Sequence, residues 1–237
     1  MSADDRPQGR VLSRREALAL IGAAGSSLFV PAPGRAQVTA PGVAGCVVRP
    51  EQTEGPFFVE EALNRSDLRT DPSDGTVKPG TPLALTLIVA RLARGGCAPL
   101  PGVRVDLWHC DHLGAYSDVS GTEGKKFLRG YQLTDGEGRA QFTTVYPGGY
   151  QGRTVHIHFK LRAAREQRPG FAFTSQLYFD DALTDQVLAA PPYGGRPRGT
   201  RNDSDGLFRR GGRQLTLALT PRGGGYGGTF TVALDGA

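Results

Sequence analysis

Two of the chain's four histidines, His156 and His158, stand two residues apart in "GRTVHIHFK", Gly152 to Lys160. In an extended strand such a pair leaves the same face, roughly 7 Å apart at Cα. That is close enough for two imidazoles to converge on one ion through bonds of about 2.1 Å. The opposite face, Val155, Ile157, Phe159 and Leu161, is wholly apolar and suits a core. The histidines therefore either decorate a solvent face or hold a metal. Asp106, Asp111 and Asp118 are carboxylates that could complete a site, and tyrosine is the other donor at hand. Tyr150 stands six residues before His156 in the turn "YPGGYQGR", and Tyr116 closes "LWHCDHLGAY". A tyrosine in a glycine loop either caps a core or offers a phenol oxygen, and Tyr146 competes with Tyr150 for that place. His109 and His112 flank Cys110 and could form a second, softer site, or join the His156/His158 pair in a zinc or copper enzyme. The alternative is that they hydrogen-bond beneath their loop.

The elements that must carry these side chains read as strands. "LALTLIVARL", "VRVDLW", "GRAQFTTVYP", "RTVHIHFKL", "FTSQLYF", "QLTLALT" and "GTFTVALDG" are short apolar or alternating runs between Gly/Pro turns. The "TDGEG" turn carries a D-G hairpin signal. Only "EEALNR" and "DDALTDQVLA" look helical. The pattern predicts an all-β fold, a single antiparallel β-sandwich with long loops and few short helices, over residues 37–237.

The first 36 residues read as an address. Arg14-Arg15 precede the apolar run Ala17 to Val30, whose 14 residues are too few to span a bilayer. Small residues at Gly34 and Ala36 suit cleavage, and the paired arginines after Ser13 suit a twin-arginine signal. The expectation is export by the twin-arginine machinery to the periplasm or beyond, and no integral membrane segment. The formal charge is +5; five arginines against three acidic residues put +2 of it in the leader, leaving +3 for the rest. So small and scattered an excess does not predict a nucleic-acid partner, and "RRGGR" at 209–213 reads as a solvated loop. Three cysteines, Cys46, Cys97 and Cys110, leave at least one thiol unpaired within the chain. The Asx-rich "RPRGTRNDSDGLF", Arg196 to Phe208, lacks the acidic density of a calcium loop and reads as a structured surface loop.

"EQTEGPFF", "VDLWHCDHLGAYSDV", "LRGYQLTDGEGRAQFTTVYPGGYQGRTVHIHFK" and "FTSQLYF" together resemble the intradiol ring-cleavage dioxygenases, non-haem Fe(III) enzymes related to catechol and protocatechuate dioxygenases. The likeness runs from about Gln52 to Asp205. It implies that Tyr116, Tyr150, His156 and His158 bind Fe(3+). It further implies that Arg153 and Gln176 act on substrate and oxygen, that Tyr150 is the phenolate that leaves the metal when substrate binds, and that Pro56 lines the substrate pocket. Aromatic diol and O2 are the implied partners. The short Tyr150-to-His156 spacing looks like a smaller exported branch of the family. A different class of function stays open beside it: a non-catalytic exported β-sandwich module that binds iron or a catecholic ligand.

Overall fold

The computed structural model describes residues 47–94, 96–163, 170–194 and 198–235. The leader reading, Cys46 and the cleavage site at Ala36 lie outside the described residues.

Alternation produces the strands. In β1 (Pro82–Ala93), Leu83, Leu85, Leu87 and Val89 point one way and are buried. β2 (Gly96–Pro99), β3 (Arg104–Trp108), β4 (Arg129–Leu133), β5 (Arg139–Val145), β6 (His156–Arg162), β7 (Ala172–Tyr178), β8 (Thr220–Arg222) and β9 (Gly225–Leu234) follow in chain order. β1 organises a five-stranded sheet: β5 pairs antiparallel with its first half, β2 with its last four residues, and β9 runs along it in parallel. β4, β3, β6 and β7 form the second, four-stranded sheet. The two sheets make the expected all-β sandwich. β1–β9 is its one parallel pairing among the named strands.

The core lies between the sheets. Val105 and Leu107 of β3, Ile157, Phe159 and Leu161 of β6, Phe142 of β5 and Phe230 of β9 all reach it and are at most 4% exposed. Phe159 sits 6.0 Å from Phe173 and 6.2 Å from Phe230 between ring centroids, so one side chain joins both sheets.

Several local readings change. The D-G turn closes with Asp135 N–H on Arg139 O and Gly138 N–H on Asp135 O. It hands the chain from one sheet to the other, because β4 pairs with β3 and β5 with β1. "EEALNR" is not helical: Tyr131 N–H donates to Leu63 O, Arg65 N–H to Tyr131 O, and the Arg65 guanidinium to the carbonyls of Arg129 and Lys126. Those tertiary bonds outweigh a weak local helix propensity. "QLTLALT" starts in a 3-10 turn (Gly212–Leu215) and touches β7 through a single bridge, Tyr178 to Thr216. β2 and β4 are strands that pattern reading passed over. The second helical segment does form, as α1 (Asp181–Ala189), with Asp180 accepting from the N–H groups of Ala182 and Leu183. Cys97 is disulfide-bonded and Cys110 is a buried free thiol, pushed up in pKa by that burial. Among the described residues no helix is long and apolar enough to cross a membrane.

Phe159→Ala removes the ring that spans both layers. It should lower stability by about 3–5 kcal/mol, read as a lower urea midpoint.

Candidate metal centre

The face of the four-stranded sheet turned away from the core carries the candidate residues. Pairing sets them in rows: Trp108 opposite His158, His158 opposite Gln176, and His156 opposite Tyr178. His156 and His158 share a face with Gln176 and Tyr178, as strand periodicity requires. That face is not solvated. His156 is 2% exposed and His158 1%, because three chain segments cover them.

The first cover is a strap, residues 49–58. Gln52 N–H donates to Thr174 O, Ser175 Oγ to Pro50 O and Gln176 Nε2 to Thr53 O, which lays the strap along the edge strand β7. From there Phe57 stacks on Tyr116, centroids 4.4 Å apart, and Phe58 meets Trp108 edge-on at 4.9 Å. Pro56 is exposed, between these aromatic anchors and Gly55, which passes over His158.

Two loops supply the tyrosines. Loop 109–118 is tied by Asp111, whose Oδ1 accepts from Leu113 and Ala115 N–H and whose Oδ2 meets Lys78 Nζ at 2.9 Å. Loop 146–155 packs against it so closely that only glycine fits. A Cβ on Gly148 would lie 2.4 Å from His112 O, and one on Gly114 would lie 2.7 Å from Gly149 O. This backbone contact brings Tyr116 and Tyr150 together.

The result is one cluster of donor atoms. His156 Nε2 lies 3.0 Å from His158 Nε2, 3.2 Å from the Tyr150 hydroxyl and 3.4 Å from that of Tyr116. His156 Nδ1 is 2.6 Å from Thr154 O, which can only accept. The proton therefore sits on Nδ1, and Nε2 presents its lone pair to the cluster. His158 is stacked on Trp108 at 4.9 Å and 11°, and its buried Nδ1 has no hydrogen-bond partner. Burial sets the protonation states. It pushes both phenols above the ordinary tyrosine range, Tyr116 far above, and holds His156 down to about 3 and His158 well below its usual value. The metal-free cluster is thus neutral: two phenols and two imidazoles.

The donors fit a metal. Bonds of about 2.0–2.1 Å to one ion place neighbouring ligand atoms roughly 2.9–3.4 Å apart, the spacing found around His156 Nε2. Among the described residues no group of three or more His, Cys, Asp or Glu forms a rival site. Two phenol oxygens that ionise on binding are hard, anionic donors and favour a ferric over a ferrous ion.

Arg153 and Gln176 border the cluster. Arg153 Nη1 is 3.5 Å from His156 Nε2, and its Nη2 donates to Gln176 Oε1 at 2.5 Å. The other tyrosine and carboxylate candidates resolve as structural, as does His109. Tyr146 is buried and bonds Thr184 Oγ1 at 2.7 Å, away from the histidines. Asp106 pairs with Arg104 and Arg162, Asp111 ties its own loop, and Asp118 accepts from Gly124 N–H. Both nitrogens of His109 are engaged, with Cys110 O and Thr144 Oγ1, so it hydrogen-bonds beneath its loop.

The sequence also matches the family model described as Dioxygenase over residues 53–198. The chain belongs to the intradiol dioxygenase family. It is 30% identical to the protocatechuate 3,4-dioxygenase beta chain of Burkholderia cepacia over 195 residues, 76% of this chain and 77% of that one. It is 33% identical to catechol 1,2-dioxygenase 2 of Acinetobacter lwoffii over 55% of this chain, and it spans about half the length of that relative. Among solved structures, an intradiol ring-cleavage dioxygenase from Tetranychus urticae superposes with a TM-score of 0.68 at 29% identity, covering 80% of this chain and 95% of that one. The dioxygenase domain of a carbohydrate-binding fusion from Streptomyces sp. SirexAA-E superposes at 0.60 with 34% identity, covering 81% and 100%.

Pattern reading missed Trp108 and Phe57 as ring partners, and Tyr178 and Asp205 as neighbours of Arg153 in this dioxygenase-family chain. Tyr178 carried a usable signal, since it follows Gln176 by two and must share its face. Asp205 carried none. It is 1% exposed inside a loop that composition assigns to the surface, yet it bonds Arg153 Nε and Thr154 N–H, both at 2.9 Å.

Adjacent glycines offer a test of the loop contact. Gly148→Ala must displace backbone at His112 and should cost about 2 kcal/mol or more. Gly149→Ala would meet only Val155, 3.9 Å away, and should stay within about 0.5–1 kcal/mol of wild type, both read from denaturant midpoints.

Proposed function

We propose that the protein is a non-haem Fe(III)-dependent intradiol dioxygenase. It opens the ring of a catechol-type diol between its two hydroxylated carbons, adding both atoms of O2 to give a cis,cis-dicarboxylic acid. One observation carries this reading: Tyr116, Tyr150 and His158 all place a donor atom within 3.4 Å of His156 Nε2, with Arg153 and Gln176 beside them. Tyr116, Tyr150, His156 and His158 would hold the ion. When bound, ferric iron would draw electron density from the catecholate and open its ring to direct attack by O2. Tyr150, more exposed than Tyr116, would give up its place and take a proton from the arriving diol at its hydroxyl oxygen. The Arg153 guanidinium would stabilise charge on the ring, and Gln176 would hydrogen-bond oxygen species. Its amide is held by Thr53 O, so Oε1 faces Arg153. Pro56, beside Phe57, would line the substrate entrance.

Protein purified from iron-replete cells should hold one iron per chain, show a broad visible tyrosinate-to-iron band, and consume one O2 per catechol. His158→Ala should lose both iron and colour while keeping the far-UV CD of the sandwich. A colourless, iron-free wild type sinks the proposal. A coloured protein that binds catechols without oxygen uptake would instead be the binding module.

Residues 1–36 are read as a twin-arginine leader that exports the folded protein. Cell fractionation tests this: wild type should reach the periplasm or medium, and Arg14→Lys with Arg15→Lys should keep it in the cytoplasm.

A further inference from the structure

We propose that Asp205 is a positioning residue that aims Arg153 at the donor cluster and steadies the peptide that orients His156. The catalytic consequence rests on the ferric dioxygenase reading; the geometry does not. Asp205 uses both oxygens fully. Oδ2 accepts from Arg153 Nε and Thr154 N–H at 2.9 Å each, and Oδ1 accepts from Leu207 N–H at 2.7 Å and Phe208 N–H at 3.2 Å. One carboxylate thus closes its own turn and grips the loop that precedes β6.

The grip leaves Arg153 one orientation. Its Nε edge is spent on Asp205, and Nη2 is spent on Gln176 Oε1 and, at 3.4 Å, on the Tyr178 hydroxyl. Only Nη1 remains, and it is the nitrogen 3.5 Å from His156 Nε2. The planar fork makes this a fixed geometry, which a flexible ammonium would not supply. The second hold acts through Thr154. Its N–H is fixed by Asp205, its Oγ1 by Asn202 Oδ1 at 2.7 Å, and its carbonyl accepts a hydrogen bond from His156 Nδ1–H. Burial alone would raise the Asp205 pKa; Arg153 and the Thr154 N–H outweigh it and keep the carboxylate charged.

Asp205→Asn keeps the shape but has one acceptor oxygen for two pairs of donors. The first readout is the Arg153 Nε–H resonance of 15N-labelled, metal-free protein, assigned by its loss in Arg153→Lys. In wild type it should exchange with water far more slowly than an exposed arginine, and Asp205→Asn should speed that exchange at least tenfold. In iron-loaded enzyme the same change should lower kcat about tenfold or more with KM moved less than about threefold, the usual scale for an outer-shell orienting group. In an Arg153→Lys background it should cost less, because one of the two groups it acts through is gone and only the hold on Thr154 remains. Fast exchange in wild type, unchanged exchange in Asp205→Asn, or an equal kcat loss in both backgrounds overturns the proposal. If the exchange results hold and wild type takes up no O2, the dioxygenase reading fails and the positioning role stands.

Discussion

The register of β6 between β3 and β7 is the constraint on which the rest depends. Strand side chains alternate with a period of two, so a slip of one residue would send both histidines into the core and Ile157 and Phe159 out of it. The core forbids that slip. Ile157, Phe159 and Leu161 are each 0% exposed, and burying each such side chain contributes about 1.5–3 kcal/mol. The apolar face thus holds in place the polar face, where Trp108, His158 and Gln176 lie in one row and His156 and Tyr178 in the next. Site geometry is in this sense a by-product of packing on the other side of the same sheet.

A sheet face alone would leave two solvated histidines. What converts it into a closed cluster is loop cover, and each covering segment is held by backbone groups. The strap bonds the edge of β7, and the two tyrosine loops meet at Gly114 and Gly148, where backbone touches backbone. The closure has an electrostatic consequence. In a dry pocket neither phenolate nor imidazolium is favoured without a counter-charge, so the cluster folds neutral. Arg153 and Asp205, the charged pair beside it, neutralise each other at 2.9 Å.

How much of this was legible in the chain follows from the range of each interaction. The His pair and its apolar opposite face are local and periodic, and they were readable. Tyr150 could be separated from Tyr146 only through the family motif, since both stand in one glycine turn; in the structure Tyr146 bonds Thr184 of α1. "EEALNR" misled because its fate is decided by carbonyls of residues 126, 129 and 131, far along the chain. β4 was passed over because a five-residue strand with one exposed end shows little alternation. Asp205 was invisible for a sharper reason. A buried carboxylate paired across 52 residues has no signature in composition, and the Asx-rich run around it reads as surface.

The direction of access follows from uneven cover. Tyr116, His156 and His158 are almost fully closed off, by Phe57, Trp108 and the strap. Tyr150 and Arg153 are only partly buried, and Pro56 is exposed. Among the residues of the cluster, Tyr150 and Arg153 therefore have the least cover. Were both phenols to hold a metal, the less covered Tyr150 would leave its place at less cost, whereas a freed Tyr116 would stay unpaired in a dry pocket. The asymmetry between two chemically identical side chains is set by the folds of their loops. On the proposed ferric reading it would make Tyr116 the fixed donor and Tyr150 the exchangeable one.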